Sequence, residues 1–154
     1  MDWEIALDAV MDFVNDYEVV ELGDRLELIV APAAALGELE YQFELTPQHE
    51  GRPKMSKTKI APLVLSEPAW RKLRKLMRTL DIALLKNEAI GFDLASDTKV
   101  ATWISSAGER FVKLECTSKT GATSRLALSY TAWTTLVTKE MEIVANGDRL
   151  RKYK

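Results

Sequence analysis

Apolar residues recur along this chain with two periods, and each change of period marks a change of element. Over 3–14, Trp3, Leu7, Val10, Met11 and Val14 stand at helical spacing while Asp2, Glu4, Asp8 and Asp12 fall mainly elsewhere, so an N-terminal amphipathic helix is predicted over 1–16. The early acids suit the positive end of a helix dipole. Alternation follows, predicting strands over 19–22, 25–31, 38–46 and about 59–65 with long connections at 32–37 and 47–58. A helical stripe of Trp70, Leu73, Met77, Leu80 and Leu84 comes next. The same succession then returns. Strands are predicted over 91–94, 99–105, 109–117 and 123–128, and a second stripe reads Trp133, Leu136, Val137, Met141 and Val144. Turns fall at Ser96-Asp97, Ser106-Ala107-Gly108 and Lys119-Thr120-Gly121, and Asn146-Gly147 supplies a C-terminal helix stop.

The two halves align residue on residue. Leu63, Leu65, Ser66, Ala69, Trp70 and Leu73 recur at a constant offset as Leu126, Leu128, Ser129, Ala132, Trp133 and Leu136. Strand runs into helix in both. Ser66 and Ser129 stand where a hydroxyl satisfies the orphan N–H groups of a first turn, and Pro68 sits where its missing N–H costs nothing. Leu65 with Trp70, and Leu128 with Trp133, have the spacing of a hydrophobic staple. The predicted fold is therefore α+β: two ββββα repeats, each a curved antiparallel sheet backed by an amphipathic helix, plus the N-terminal helix. The chain reads as one domain over 1–154, with the helix at 1–16, repeats at 17–88 and 89–147, and a basic tail at 148–154.

Register follows from one loop. If Ser106-Ala107-Gly108 is a three-residue turn with glycine in the left-handed position, Ser105 pairs with Glu109, Trp103 with Phe111, Ala101 with Lys113 and Lys99 with Glu115. Val100, Thr102, Ile104, Val112, Leu114 and Cys116 then share the face that meets the helices, with Arg110 at its edge. Lys99, Trp103, Phe111, Lys113 and Arg125 are left on the open face. In the first repeat Leu26, Leu28, Val30, Leu39, Tyr41, Phe43 and Leu45 form the core face, and Glu27, Ile29, Glu38, Glu40, Gln42 and Glu44 lie outside.

Charge sharpens this contrast. Residues 1–50 hold thirteen acids against Arg25, whereas 51–78 hold nine bases against Glu67. A net charge of −2 thus conceals strong segregation. Arg52, Lys54, Lys57 and Lys59 make the second connection basic, and Arg71, Lys72, Arg74, Lys75 and Arg78 line the outside of the first helix, the ordinary pattern of a solvated face. At 154 residues and 47% hydrophobic, the chain buries a core without covalent staples. Its one cysteine, Cys116, excludes an internal disulfide and fits a reducing intracellular setting, cytoplasmic or nucleoid. No apolar run approaches the ~18 residues of a membrane span.

Catalytic patterns are missing from this reading. The lone His49 lies in Gln48-His49-Glu50-Gly51 with no second histidine to share a metal or build a dyad. No phosphate-binding glycine loop occurs. Glu38, Glu40 and Glu44 are explained by alternation along an exposed strand. A non-enzyme without metal or cofactor is expected.

The run Leu126-Ala127-Leu128-Ser129-Tyr130-Thr131-Ala132-Trp133-Thr134-Thr135-Leu136, behind a four-stranded meander, resembles the positive cofactor 4 type of single-stranded DNA-binding domain. A tandem ββββα pair, over roughly 17–147, is similar to the Whirly, Pur-alpha and kinetoplastid guide-RNA-binding arrangement of that superfold. The resemblance implies single-stranded DNA or RNA binding, in transcription or DNA maintenance. It implies phosphate contacts from Lys99, Lys113, Lys119 and Arg125 and base stacking on Trp103 and Phe111. The basic loop Arg52, Lys54, Lys57 and Lys59 is expected to assist. An alternative remains open: an assembly module whose acidic first sheet docks a basic protein. Unpaired strand edges leave room for a homo-oligomer.

Overall fold

A computed structural model describes residues 17–33, 37–45 and 63–152. The helix expected over 1–16 and the basic residues Arg52, Lys54, Lys57 and Lys59 lie outside the described residues, as do His49 and Lys154. In chain order the elements are β1 (Glu18–Gly23), β2 (Leu26–Pro32), β3 (Leu39–Leu45), β4 (Leu63–Ser66), α1 (Glu67–Leu85), β5 (Gly91–Ala95), β6 (Thr98–Ile104), β7 (Arg110–Thr117), β8 (Thr123–Ser129), α2 (Tyr130–Thr138) and α3 (Glu140–Lys152). Two antiparallel four-stranded sheets run β1-β2-β3-β4 and β5-β6-β7-β8. The α+β class and the repeated ββββα order are as the sequence predicts.

Period-two burial makes these strands. Leu26, Leu28 and Val30 of β2 are buried, as are Leu39, Tyr41 and Phe43 of β3, with half-buried residues between them. Leu45 continues the alternation but is 40% exposed at the strand's end, a departure from its expected place in the core. The β6–β7 register pairs Trp103 with Phe111, Ala101 with Lys113 and Lys99 with Glu115. The turn is the cause: Gly108 has φ +86°, which L side chains avoid, and the Ser105 N–H donates to the Glu109 carbonyl at 2.8 Å.

Both helices begin as their caps require. Ser66 Oγ accepts from Ala69 N at 3.4 Å and Ser129 Oγ from Ala132 N at 3.2 Å. Ser129 Oγ also donates to the Asp24 carboxylate, tying the second cap to the first hairpin. Behind the caps, Trp70 and Trp133 are 2% and 0% exposed. Tyr41 stacks on Trp70 with ring centroids 4.7 Å apart, and Trp133 Nε1 donates to Asp81 Oδ1 at 3.3 Å.

The repeats do not fold on themselves alone. α1 follows the first sheet but lies mainly against β5 and β6 of the second, while α2 packs on β1 as well as β7 and β8, and α3 on β1 and β2. Each sheet is covered by helices of both repeats, so the apolar faces merge into one core. Glu67 locks that crossing. Buried at 2% exposure, its carboxylate accepts from Leu39 N at 2.9 Å, from Arg71 at 2.6 Å and from Arg151 of α3.

The second helix departs from expectation. It breaks at Lys139, where φ is −92° and ψ 8°. The hydroxyls of Thr134 and Thr135 bond back to the Thr131 carbonyl and that of Thr138 to the Thr134 carbonyl, contacts that bend helices. Beyond the break the inward stripe shifts: Met141 is 71% exposed, and Ile143, Asn146 and Leu150 are buried instead. Nor does Asn146-Gly147 stop the helix, which runs on to Lys152. A Cβ on Gly147 would lie 3.0 Å from Leu39 Cδ1, so this glycine serves a close approach of α3 to β3. The described part of the expected basic tail, 148–152, is helical: Arg149 pairs with Glu18 at 3.0 Å and Arg151 with Glu67. Among the described residues no helix is long and apolar enough to cross a membrane.

Candidate nucleic-acid interface

Alternation sends one side of β6 and β7 into the core and the other outward. Val100, Thr102, Val112 and Leu114 are buried, whereas Trp103 is 41% exposed, Lys99 and Lys113 are exposed, and Phe111 is half-buried. Trp103 and Phe111 are direct cross-strand partners on the outer face. Their ring centroids lie 5.2 Å apart at 37°. Lys113, diagonal to Trp103 in the same register, places Nζ 4.0 Å from the indole centroid. An outward pair of tilted aromatic rings with a cation over the indole results.

Arg125 joins this face from β8, opposite Glu115, and its Nε bonds Glu115 Oε1 at 2.8 Å. That hydrogen bond, helped by the charges of Arg125 and Lys99, holds the Glu115 carboxyl below the ordinary carboxylate range. Arg125 is therefore already engaged, and a phosphate must replace or share Glu115 to reach it. Lys119 stands apart, exposed in the β7–β8 turn. Five of the predicted residues, Lys99, Trp103, Phe111, Lys113 and Arg125, thus share one sheet face, with Lys119 at its end. Asp93, opposite Lys99 on β5, adds an acid at the margin. Arg110 sits at the inner edge as expected, its guanidinium 5.5 Å from the Tyr130 ring centroid and bonded to Asn87.

Sequence reasoning did not anticipate the contact of Lys113 with the indole, although the register that places Lys113 opposite Ala101 also sets it diagonal to Trp103. It also missed the cleft where the two sheets meet. This cavity of about 480 Å³ is lined by Glu40, Val64, Asp97, Thr98, Cys116 and Ser124 among others. Cys116 Sγ donates to the Val64 carbonyl at 3.3 Å, joining β7 to the edge strand β4. Burial pushes this thiol up, against the opposing hydrogen bond with Thr98. Among the described residues, no group of His, Cys, Asp and Glu is arranged to hold a metal ion.

The first sheet presents the opposite character. Its outer face carries Glu21, Glu27, Glu40 and Glu44 around Val19, Ile29, Gln42 and Val64. Among the described residues no aromatic pair stands there.

No protein-family model matches the chain, and no curated protein matches it. Among solved structures, the chain is similar to one from crystal structures of Trypanosoma brucei MRP1/MRP2, with 10% identity and a TM-score of 0.42 over 92% of this chain and 91% of that one.

Proposed function

We propose that this protein binds single-stranded DNA or RNA, without catalysis and in an intracellular setting, on the outer face of the β5–β8 sheet. The observation that carries the reading is the exposed Trp103–Phe111 pair with Lys113 over the indole. Stacking of one base on such a ring is worth about 1–3 kcal/mol and is indifferent to sequence, since every base has a π face. Lys99, Lys113 and Lys119 supply phosphate contacts that weaken with salt. Arg125 adds a further contact when phosphate displaces Glu115. The resemblance to the positive cofactor 4 and Whirly superfold supports the same assignment, as does the exposure of Lys99, Trp103 and Lys113 on this face.

Fluorescence anisotropy with a labelled single-stranded oligonucleotide at low salt tests it. Trp103→Ala combined with Lys113→Ala should weaken binding by a factor of about 5 to 150, the equivalent of one lost stack. Circular dichroism of the variant should match the parent, because both side chains lie outside the core. An unchanged affinity in a folded variant removes this face from consideration.

A second reading has its own observation: the acidic outer face of the first sheet, which repels phosphate and suits a basic protein surface.

A further inference from the structure

The exposed side of α1 is a strongly charged surface that the nucleic-acid reading leaves unused. Arg71, Lys72, Lys75, Arg78 and Lys86 at the helix end are all exposed, and between them stand Ile82 and Leu85 at 42% and 58% exposure. The acids of α1 are elsewhere: Glu67 is buried and Asp81 accepts from Trp133. Solvation alone does not require this pattern. The positions of the second repeat that correspond to Arg71, Lys72, Lys75 and Arg78 are Thr134, Thr135, Thr138 and Met141, none of them charged, while Lys86 corresponds to Arg149. The duplicated segment thus stays folded on the same scaffold with uncharged residues at those four places.

A surface of matching chemistry lies on the same chain. On the outer face of the first sheet, Val19, Ile29, Gln42 and Val64 form one row across four strands. Val19 and Val64, at its ends, are 41% and 37% exposed. Glu21 and Glu44 belong to the neighbouring row on one side, joined through Glu27, and Glu40 to the row on the other. The row, apolar but for Gln42, is therefore bordered by acids, as Ile82 and Leu85 are bordered by bases. At 1.5 Å per residue the α1 stripe from Arg71 to Lys86 is about 22 Å long. Four strands at about 4.8 Å span about 14 Å between outer axes, enough to seat one helix. Sheets ordinarily carry helices on exposed apolar rows; here the second sheet reaches the Val64 end of this row across the shared cleft, and Val19 and Val64 stay exposed.

We propose that the outer face of the first sheet docks α1 of a second copy of this chain. The contact joins two different surfaces, so it is head-to-tail: each added copy leaves one sheet and one helix open, and the series closes into a ring or continues as a filament. This deepens the protein-docking reading of the acidic sheet and rests on it. The Trp103 face is not used and stays available to an oligonucleotide.

Analytical ultracentrifugation of the full chain tests the contact. The weight-average mass should rise with concentration above that of one 17.3 kDa chain at low ionic strength and fall back as salt is added. Lys75→Glu with Arg78→Glu should abolish the rise, and so should Glu21→Lys with Glu44→Lys. Mixing the two reversed proteins should restore it, because the acidic α1 of one then faces the basic sheet of the other. Circular dichroism checks each fold, and Lys75→Gln with Arg78→Gln replaces a reversal that does not fold. A parent protein with the mass of one chain at every concentration, association that both reversals leave intact, or folded variants whose mixture does not associate, overturns the proposal. Oligonucleotide anisotropy on the same variants separates failure of this contact from failure of the nucleic-acid reading.

Discussion

The two repeats use the same inward residues and opposite outward ones. Leu65, Trp70 and Leu73 are buried, as are Leu128, Trp133 and Leu136 at the same places in the second copy. Outside, the first sheet has Glu27 where the second has Lys99, Ala31 where it has Trp103, Glu40 where it has Phe111 and Gln42 where it has Lys113, and α1 shows lysine and arginine where α2 shows threonine. The difference teaches where each kind of information resides. Inward positions answer to packing, which tolerates little change in volume. Outward positions answer only to a ligand or partner, so the two surfaces diverged while the scaffold stayed the same.

The comparison can be broken hardest at the tryptophans. Trp70→Ala and Trp133→Ala should each cost about 3–5 kcal/mol, measured by denaturant unfolding, because each empties a fully buried ring volume in the shared core. Since α1 and α2 each bridge both sheets, either variant should lower one common unfolding transition. Two separate transitions would mean that the repeats fold independently.

The caps come next. Ser66→Ala should cost about 1 kcal/mol, and Ser129→Ala should lie toward the upper part of the usual range of about 0.5–2 kcal/mol. The asymmetry has a cause: Ser129 Oγ serves the helix and donates to Asp24 as well. Equal losses in thermal unfolding would remove that hairpin contact from the stability of the fold.

The smallest effect concerns alkaline pH and the corresponding strands β3 and β7. Burial raises the Tyr41 phenol above 10.0, with Arg151 opposing, and raises the Cys116 thiol above 9.0, with Thr98 opposing. Both groups are favoured neutral when folded. Their contribution is complete below the unfolded values and is lost as pH rises through the higher folded ones. Denaturant midpoints should therefore decline above the unfolded value of 9.0, and Cys116→Ala should soften the first part of that decline. A decline unchanged by the substitution would place its origin elsewhere.

Much of the candidate site was legible. The pairing of Trp103 with Phe111 required only that Gly108 take a left-handed conformation in a three-residue turn, and φ +86° meets that condition. The break at Lys139 had a visible signal in Thr134, Thr135 and Thr138, whose hydroxyls compete for helix carbonyls, but apolar periodicity alone passes over it. Gly147 misled because a glycine that ends a helix and one that lets another strand approach are the same residue in a sequence; only Leu39 at 3.0 Å distinguishes them. Leu45 alternates inward by pattern, yet its place at the end of β3 leaves it exposed.

By itself the sequence determined the eight strands and the start of the helix after each set of four, the two serine caps, the side of the strands that turns inward and the β6–β7 register. These are local matters of period, hydroxyl position and turn chemistry, all contained within a few residues. Only the tertiary structure decided that α1 lies mainly on the second sheet, α3 on the first and α2 across both, that the C-terminal bases Arg149 and Arg151 answer Glu18 and Glu67, and that Lys113 sits over Trp103. An apolar stripe states that a face must be buried, but which surface buries it depends on how two twisted sheets and their connections pack together in space.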